Sequence, residues 1–324
     1  MVRVHNGPPI LTFPHSATDS RSPLAFRGSL SDPFHYRSAV APGQGLSIRQ
    51  LSDLLPRSVS KHVWFHGLFI PATVRTQWAK AFTTEAMQTF RFAFEHFAAD
   101  DIDPHRLRQS LSLYERQRTL VRKLYDLRRE NSRIMRAREF YAVVMSSMLM
   151  PKQEHVSLLE TLLQTLPSRQ PATNGHVRLV LAGNLCEPVR DIMLDTIEES
   201  GAVVVDDDLY VGSRAFALAI SLEGDPFEAL VNAYLTGLPP CPTKIDHEKD
   251  WGDYLVRIVK QSQGQGVINI VCRECEPHYF SLPKIQQCLR EEGIPELVWE
   301  EEPGMKAVGQ LRTRVQAFVE MLQS

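Results

Sequence analysis

The chain has 324 residues, 43% hydrophobic and 23% charged, enough for two or three domains with sizeable cores. Its 36 Lys and Arg stand against 38 Asp and Glu, a formal charge of −2. That balance argues against a dedicated nucleic-acid binder, which carries a basic field. The five cysteines, Cys186, Cys241, Cys272, Cys275 and Cys288, all lie in the second half. An odd number argues against a secreted disulfide scaffold and for a reducing cytoplasm. MVRVHNGPPILTFPHSATDS, at the start, lacks the unbroken apolar stretch of a signal peptide, and no run approaches the ~18 apolar residues of a membrane span.

Up to about residue 60, Pro, Ser and Gly are frequent and no period is sustained, which predicts loops or disorder. GLFIPA, 67–72, is the first strand candidate. From residue 83 to 167 the pattern is helical. Met87, Phe90 and Phe94 recur at a three-to-four spacing. Asp103 is an expected N-cap with Pro104 at the first helical position, and Leu107, Leu111, Tyr114, Val121 and Leu124 mark one face. The Arg and Lys residues between them are expected on a solvated face. Pro151 opens another helix with Leu158, Leu159, Leu162, Leu163 and Leu166 inside. An antiparallel helical bundle is expected here. PSRQPATNG, 167–175, is a linker.

After the linker, strands alternate with helices. HVRLVLAG, AVVVDDD, GVINIVC and PELVWEE are strand candidates, at about 177–182, 202–206, 267–272 and 294–299. Helices are expected in CEPVRDIMLDTIEESG, in DPFEALVNAYLTG with Asp225 as cap, in DWGDYLVRIVKQSQG, in LPKIQQCLREEG and in the terminal AVGQLRTRVQAFVEMLQS. The alternation predicts an α/β fold, with a Rossmann-like or flavodoxin-like parallel sheet of four strands and helices on both faces. The expected division is 1–80, 81–170 and 171–324, the last being the α/β domain.

In open parallel sheets, ligands bind beyond the carboxyl ends of the strands. Those ends are GNLCEP, DDDLYVGSR, CRECEPHYF and EEEP, so Cys186, Asp206 to Asp208 and Cys275 share one rim. Four readings of Cys272 and Cys275 stay open. Structural zinc needs about four ligands, and no second CxxC occurs. A redox pair wants a helix N-terminus at the motif, whereas Pro277 and further residues are expected before the next helix. Two buried small hydrophobes suit Cys272 better than Cys275. An iron–sulfur ligand at Cys275 needs partners from elsewhere. Cys288 is expected in the core, Cys241 in a proline-rich loop, and His278 at the surface or packed. No phosphate loop, GxSxG or Walker motif is present.

RLVLAGNLCEPVRDIMLDTIEESGAVVVDDDLYVGSRAF and the stretch from CRECEP to QAFVEML resemble the benzoyl-CoA reductase and 2-hydroxyacyl-CoA dehydratase D-component family, most closely its small cluster-carrying subunits. CEP at 275–277, GIP at 293–295, GQLRTRVQAF at 309–318 and DPHRLRQSLSLYERQRTLVRKLYDLR at 103–128 carry the likeness, which covers about residues 64–324. It implies two α/β lobes joined by a helical part, with a [4Fe–4S] cluster held by three cysteines of one subunit. It further implies an acyl-CoA substrate, a sister subunit and an ATP-dependent, electron-donating activator. Electrons would pass through the cluster region to the CoA thioester, for dehydration or ring reduction.

Cys275 matches the family's C-terminal cluster cysteine; Cys186 and Cys272 are the other thiols open to recruitment. The sequence departs from the pattern at GLFIPATVRT, where Val74 and Arg75 stand in the place of a Cys-Asp pair, and no cysteine precedes Cys186. The first lobe is expected to be curtailed. Two outcomes follow from the resemblance: a working subunit with ligands supplied otherwise, or a non-catalytic structural or interaction subunit.

Overall fold

The structure, a computed structural model, describes His66, Leu68 and residues 70–172, 175–184, 188–244, 250–273, 275–301 and 308–324. They fall into two compact units, one holding His66, Leu68 and 85–102, the other 70–84 and everything described from Asp103 onward. Helix α1, Gln77–Ala98, supplies residues to both. In the smaller unit Met87 is buried, and the rings of Phe90 and Phe94 stack at 6.1 Å, as their spacing predicts. Glu95 closes the helix end by accepting from Arg91 Nε and from the Ile102 backbone N–H, both at 2.8 Å.

Of the strand expected at 67–72, Leu68 and residues 70–72 form none. Pro71 has no N–H to donate to a ladder. The carbonyls of Ile70 and Pro71 instead accept from Lys244 Nζ, at 3.3 and 2.7 Å.

In the larger unit, α2 (Pro104–Glu130) starts where predicted. Asp103 caps it by accepting from the Arg106 N–H at 2.8 Å, and Pro104 sits in the first turn, where its missing N–H costs nothing. Helices α3 (Ala137–Leu149) and α4 (Lys152–Thr165) follow, and α2 packs against α4. Leu159 and Leu166 are buried as expected, but Leu158, about 100° around the helix from Leu159, is 56% exposed.

Four strands form one parallel sheet: β1 (Val177–Gly183), β2 (Ala202–Asp208), β3 (Gly266–Cys272) and β4 (Glu296–Glu301), in the order β2-β1-β3-β4. Between them lie α5 (Asp191–Glu199), the single turn α6 (Arg214–Ala217), α7 (Pro226–Thr236), α8 (Trp251–Gln261) and α9 (Glu276–Glu291), with α10 (Val308–Gln323) last. Side chains alternate along each strand. Val177, Leu179, Leu181, Ile268 and Ile270 therefore meet residues of α2, α3, α5 and α10 on one face. Val180, Ala182, Val203, Val205 and Val267 meet α8 and α9 on the other. Burial on both faces explains why the strands read as unbroken apolar runs.

The solvated face expected on α2 is found at Arg108, Arg116 and Lys123, which are exposed, but other arginines of the helix turn inward. Arg128 is fully buried, donates to the Val204 carbonyl, and lies 4.0 Å over the Phe140 ring. Arg118 is also buried, and Arg122 reaches the Phe216 carbonyl at 2.8 Å. Guanidinium groups on long apolar stems cover hydrophobic surface, and Arg128 and Arg122 each place one donor on a distant carbonyl.

The run Asp206–Asp207–Asp208, expected on an open rim, is wholly buried inside β2. Asp206 pairs with Arg129 Nε at 2.7 Å. Asp207 accepts from the hydroxyls of Tyr125 at 2.7 Å and Tyr141 at 3.0 Å, and from the N–H of Ser213 at 2.7 Å. Burial outweighs the Arg129 charge and pushes the Asp206 carboxyl up to about 6, and burial raises Asp207 as well.

A raised folded pKa means that ionised Asp206 counts against the fold above pH 6, and that the penalty fades as pH falls towards the unfolded value of 3.8. Asp206→Asn carries no such penalty. Its unfolding free energy, relative to the natural chain, should therefore rise by about 2–3 kcal/mol between about pH 4 and pH 7.5. Urea unfolding at both pH values checks this; a difference independent of pH would refute it.

Candidate functional site

The sheet order places the topological switch between β1 and β3, so the crevice for a ligand lies beyond Gly183 and Cys272. Gly183 has φ +133°, and a Cβ there would lie 1.9 Å from the Ile270 carbonyl oxygen. Only glycine lets β1 end this close to β3. The next residue, Asn184, is buried and accepts from the Cys272 N–H at 2.5 Å, fastening the two strand ends together. On the far side Arg190 pairs with Glu301 at 2.5 Å, and Trp299 Nε1 donates to the same carboxylate at 2.7 Å.

Beyond β3 the chain turns at once. The Cys275 N–H donates to the Cys272 carbonyl at 3.3 Å, and α9 begins at Glu276 with Cys275 as its N-cap. This corrects the expectation that several residues separate Pro277 from the next helix. Pro277 lies in the first turn, where no intrahelical N–H is needed, so it starts the helix and does not delay it. Cys275 is half-buried, and its Sγ is 3.2 Å from His278 Nδ1, one turn on.

His278 leads from this thiol into a cluster of buried groups. Its ring meets Trp251 edge-on at 4.9 Å between centroids and Tyr210 at 6.0 Å. Trp251 Nε1 donates to Asp208 at 2.6 Å. Asp208 is held in a two-pronged pair by Arg214, Nε at 2.6 Å and Nη2 at 2.9 Å, while Arg214 Nη1 donates to the Pro240 carbonyl at 2.7 Å. Burial, with the Arg214 charge nearby, pushes His278 down to about 3, so its imidazole is neutral. In the tautomer protonated at Nε2, Nδ1 accepts from the thiol. The buried Nε2 has no hydrogen-bond partner among the described residues.

The sequence-predicted positions are thus divided. Cys272 and Cys275 are joined through one turn, and Cys275 and Asp208 lie at the same end of the sheet, as the parallel pairing requires. Cys186 lies outside the described residues. Cys288 is buried in the core, as expected. Cys241 has a partner that sequence reading missed, its Sγ lying 3.7 Å from the Tyr210 hydroxyl. Tyr210, Arg214 and Trp251 were missed as well; the signal was the Tyr and Arg of DDDLYVGSR, weighed only for its acids.

A four-iron cluster needs a set of converging thiolates. Among the described residues no three His, Cys, Asp or Glu side chains gather to hold a metal ion. Val74, where the resemblance expects a ligand, is buried and has no donor atom, and Arg75 has no lone pair to give. The described donor set does not fit the cluster.

The chain matches the family described as "2-hydroxyglutaryl-CoA dehydratase, D-component" over residues 40–322. It belongs to that family. It is 26% identical over 227 residues to a benzoyl-CoA reductase subunit of Thauera aromatica, covering 70% of this chain and 59% of the relative. It is 24% identical over 258 residues to "(R)-phenyllactyl-CoA dehydratase beta subunit" of Clostridium sporogenes, covering 78% and 68%. To "Lactoyl-CoA dehydratase subunit beta" of Anaerotignum propionicum it is 25% identical over 217 residues, covering 67% and 57%. The chain thus spans 59% of the length of the benzoyl-CoA reductase subunit. No described helix is long and apolar enough to cross a membrane.

Asp208→Asn would leave the buried Arg214 guanidinium without its counter-charge and should cost about 3–5 kcal/mol in urea unfolding. Replacing both residues by Leu should recover part of that loss. If each single variant costs under about 1 kcal/mol, the pair does not hold the rim. Gly183→Ala should independently cost about 2 kcal/mol or more, because both its φ and the nearby carbonyl oppose a side chain.

Proposed function

We propose that this chain is one subunit of an acyl-CoA reductase or dehydratase, acting with a sister subunit of the same family on a CoA thioester. The observation that carries the reading is the family match over residues 40–322, joined to a switch-point rim where β3 ends at Cys272 and Cys275 caps α9. The relatives are named as subunits of benzoyl-CoA reductase and of 2-hydroxyacyl-CoA dehydratases, which supports a multi-subunit assembly. Exposed aromatics support it too. In the larger unit Trp78, Phe82 and Phe280 are 75%, 50% and 85% exposed, and in the smaller unit Phe92 is 67% exposed. A [4Fe–4S] cluster and an ATP-dependent, electron-donating activator belong to this reading as parts of the assembly. No electron-transfer step is assigned to this chain's own residues, because its described donors do not fit a cluster.

A second reading, a non-catalytic structural subunit, is favoured by one observation. Val74 is buried where the resemblance expects an iron ligand.

Anaerobic reconstitution with iron and sulfide, desalting and metal analysis test the assignment. The chain alone should retain far less than one four-iron cluster, and acyl-CoA turnover should require the sister subunit and activator. Near-stoichiometric iron on the chain alone, lost in Cys275→Ala, would overturn the division of roles. A complete assembly without turnover would favour the structural reading.

A further inference from the structure

We infer that the corner between α3 and α4 is a proton-sensitive latch: when His155 takes up a proton, α4 comes away from α2 and α3 while the sheet stays closed. This goes beyond the acyl-CoA reading and does not rest on it. A buried side-chain cluster with every hydrogen-bonding position filled carries it. His155, in the first turn of α4, and Gln117 of α2 are both buried. His155 Nε2 lies 3.2 Å from the Val143 carbonyl of α3, which can only accept, so Nε2 carries the proton. Nδ1 is then an acceptor, and Gln117 Nε2 donates to it at 2.9 Å. The same amide nitrogen lies 3.4 Å from the Ser147 carbonyl, in the last turn of α3, to which Lys152 Nζ also donates. Carbonyls at a helix C-terminus have no partner within their own helix. These two donors therefore tie the end of α3 to α2 and α4.

A second proton on the ring has no place here. Protonated Nδ1 becomes a donor that faces the Gln117 NH2. Turning the amide would offer its oxygen to Nδ1, but would withdraw the donor from Ser147 and point two oxygens at each other. Charge opposes the proton too. His155 sits at a helix N-terminus, where a cation is disfavoured. Lys152 stands in the same turn, with Arg118 of α2 nearby and its Nζ 5.2 Å over the Tyr114 ring. The carboxylates of these helices are engaged elsewhere or lie outside. Glu115 of α2 pairs with Arg118 and Arg122, Glu139 of α3 with Arg169, and Glu160 of α4 with Arg116, while Glu154 is exposed.

Burial, with the Lys152 charge, holds His155 below its ordinary 6.5. Burial also pushes Lys152 down to about 8, so Lys152 is charged throughout the acid range and its own state does not change there. With α4 released, His155 regains its ordinary value and binds a proton below pH 6.5; latched, it does not. Release is therefore favoured as pH falls from 6.5 towards the lowered value. Asp206 responds in the opposite sense, because the penalty of its burial fades as pH falls. Acid thus loosens the corner without loosening β2 from α2. Release uncovers Leu159, which belongs to the apolar cluster shared with the sheet.

Hydrogen exchange of the full chain, read by mass spectrometry at about pH 7 and pH 5.5 and corrected for the intrinsic rate at each pH, tests this. Protection in peptides of α4 should fall about five- to eightfold, close to the limit for one proton whose value in the open form is 6.5. Peptides of β1 and β2 should change by less than about twofold. His155→Gln keeps an acceptor for Gln117 and a donor for Val143 but does not titrate, so its α4 should show no such fall. Circular dichroism confirms that the variant is folded, and the natural chain, with β1 and β2 as internal reference, decides the matter without it. A change in α4 of less than about twofold would overturn the inference. So would an equal loss of protection in β1 and β2, or an undiminished fall in folded His155→Gln.

Discussion

Three consecutive carboxylates buried in an edge strand set the terms for the larger unit. Each ionised carboxylate costs several kcal/mol to remove from water unless charge and hydrogen bonds replace the lost hydration. Asp206, Asp207 and Asp208 find their replacements in different places. Arg129 and Tyr125 come from α2, Tyr141 from α3, Arg214 from the turn after β2, and Trp251 from α8. The helical segment and the sheet are therefore joined by polar contacts as well as by the apolar cluster that they share. The directions of those contacts fix which side of α2 faces the sheet, which apolar packing alone would define less sharply.

The same constraint reaches the rim. Arg214 is kept in the interior by Asp208, and its face supports the rings of Trp251, at 4.8 Å, and Tyr210, at 5.1 Å. Those two rings are the walls against which His278 packs, and His278 touches the Cys275 thiol. A thiol on β3's exit is thus connected, through four side chains, to a carboxylate on β2. β1 lies between the two strands in the sheet, so the link runs over the rim and not along the ladder.

Much of this was legible in the sequence, for physical reasons. Strands buried on both faces are apolar at most positions, so β1 and β3 announced themselves, and Gly201 and Gly293 marked the helix stops. The caps Asp103 and Asp225 were readable because capping is local: the side chain bonds to an N–H two or three residues away. What failed was long-range or ambiguous. The arginines of α2 looked solvated, because their acceptors lie some 76 to 94 residues further on. The Asp run looked like an open rim for the same reason. The start of α9 was misjudged because two prolines compete for it. Pro283, inside the helix, drew the expected start to Leu282, although Pro277 is the one in the first turn. The cluster around Tyr210 was illegible, since nothing local to Cys241 or Trp251 says that they approach one strand end.

The position of Cys275 depends on none of the features that a metal would supply. Its backbone is set by the turn to Cys272, which Asn184 holds from β1, and by the first turn of α9. Its side chain is set by His278, which the Asp208–Arg214 pair supports through Trp251. Every member of that support belongs to the larger unit, and the buried Val74 adds no donor to it. Packing and hydrogen bonds within the larger unit therefore hold the Cys275 thiol in place.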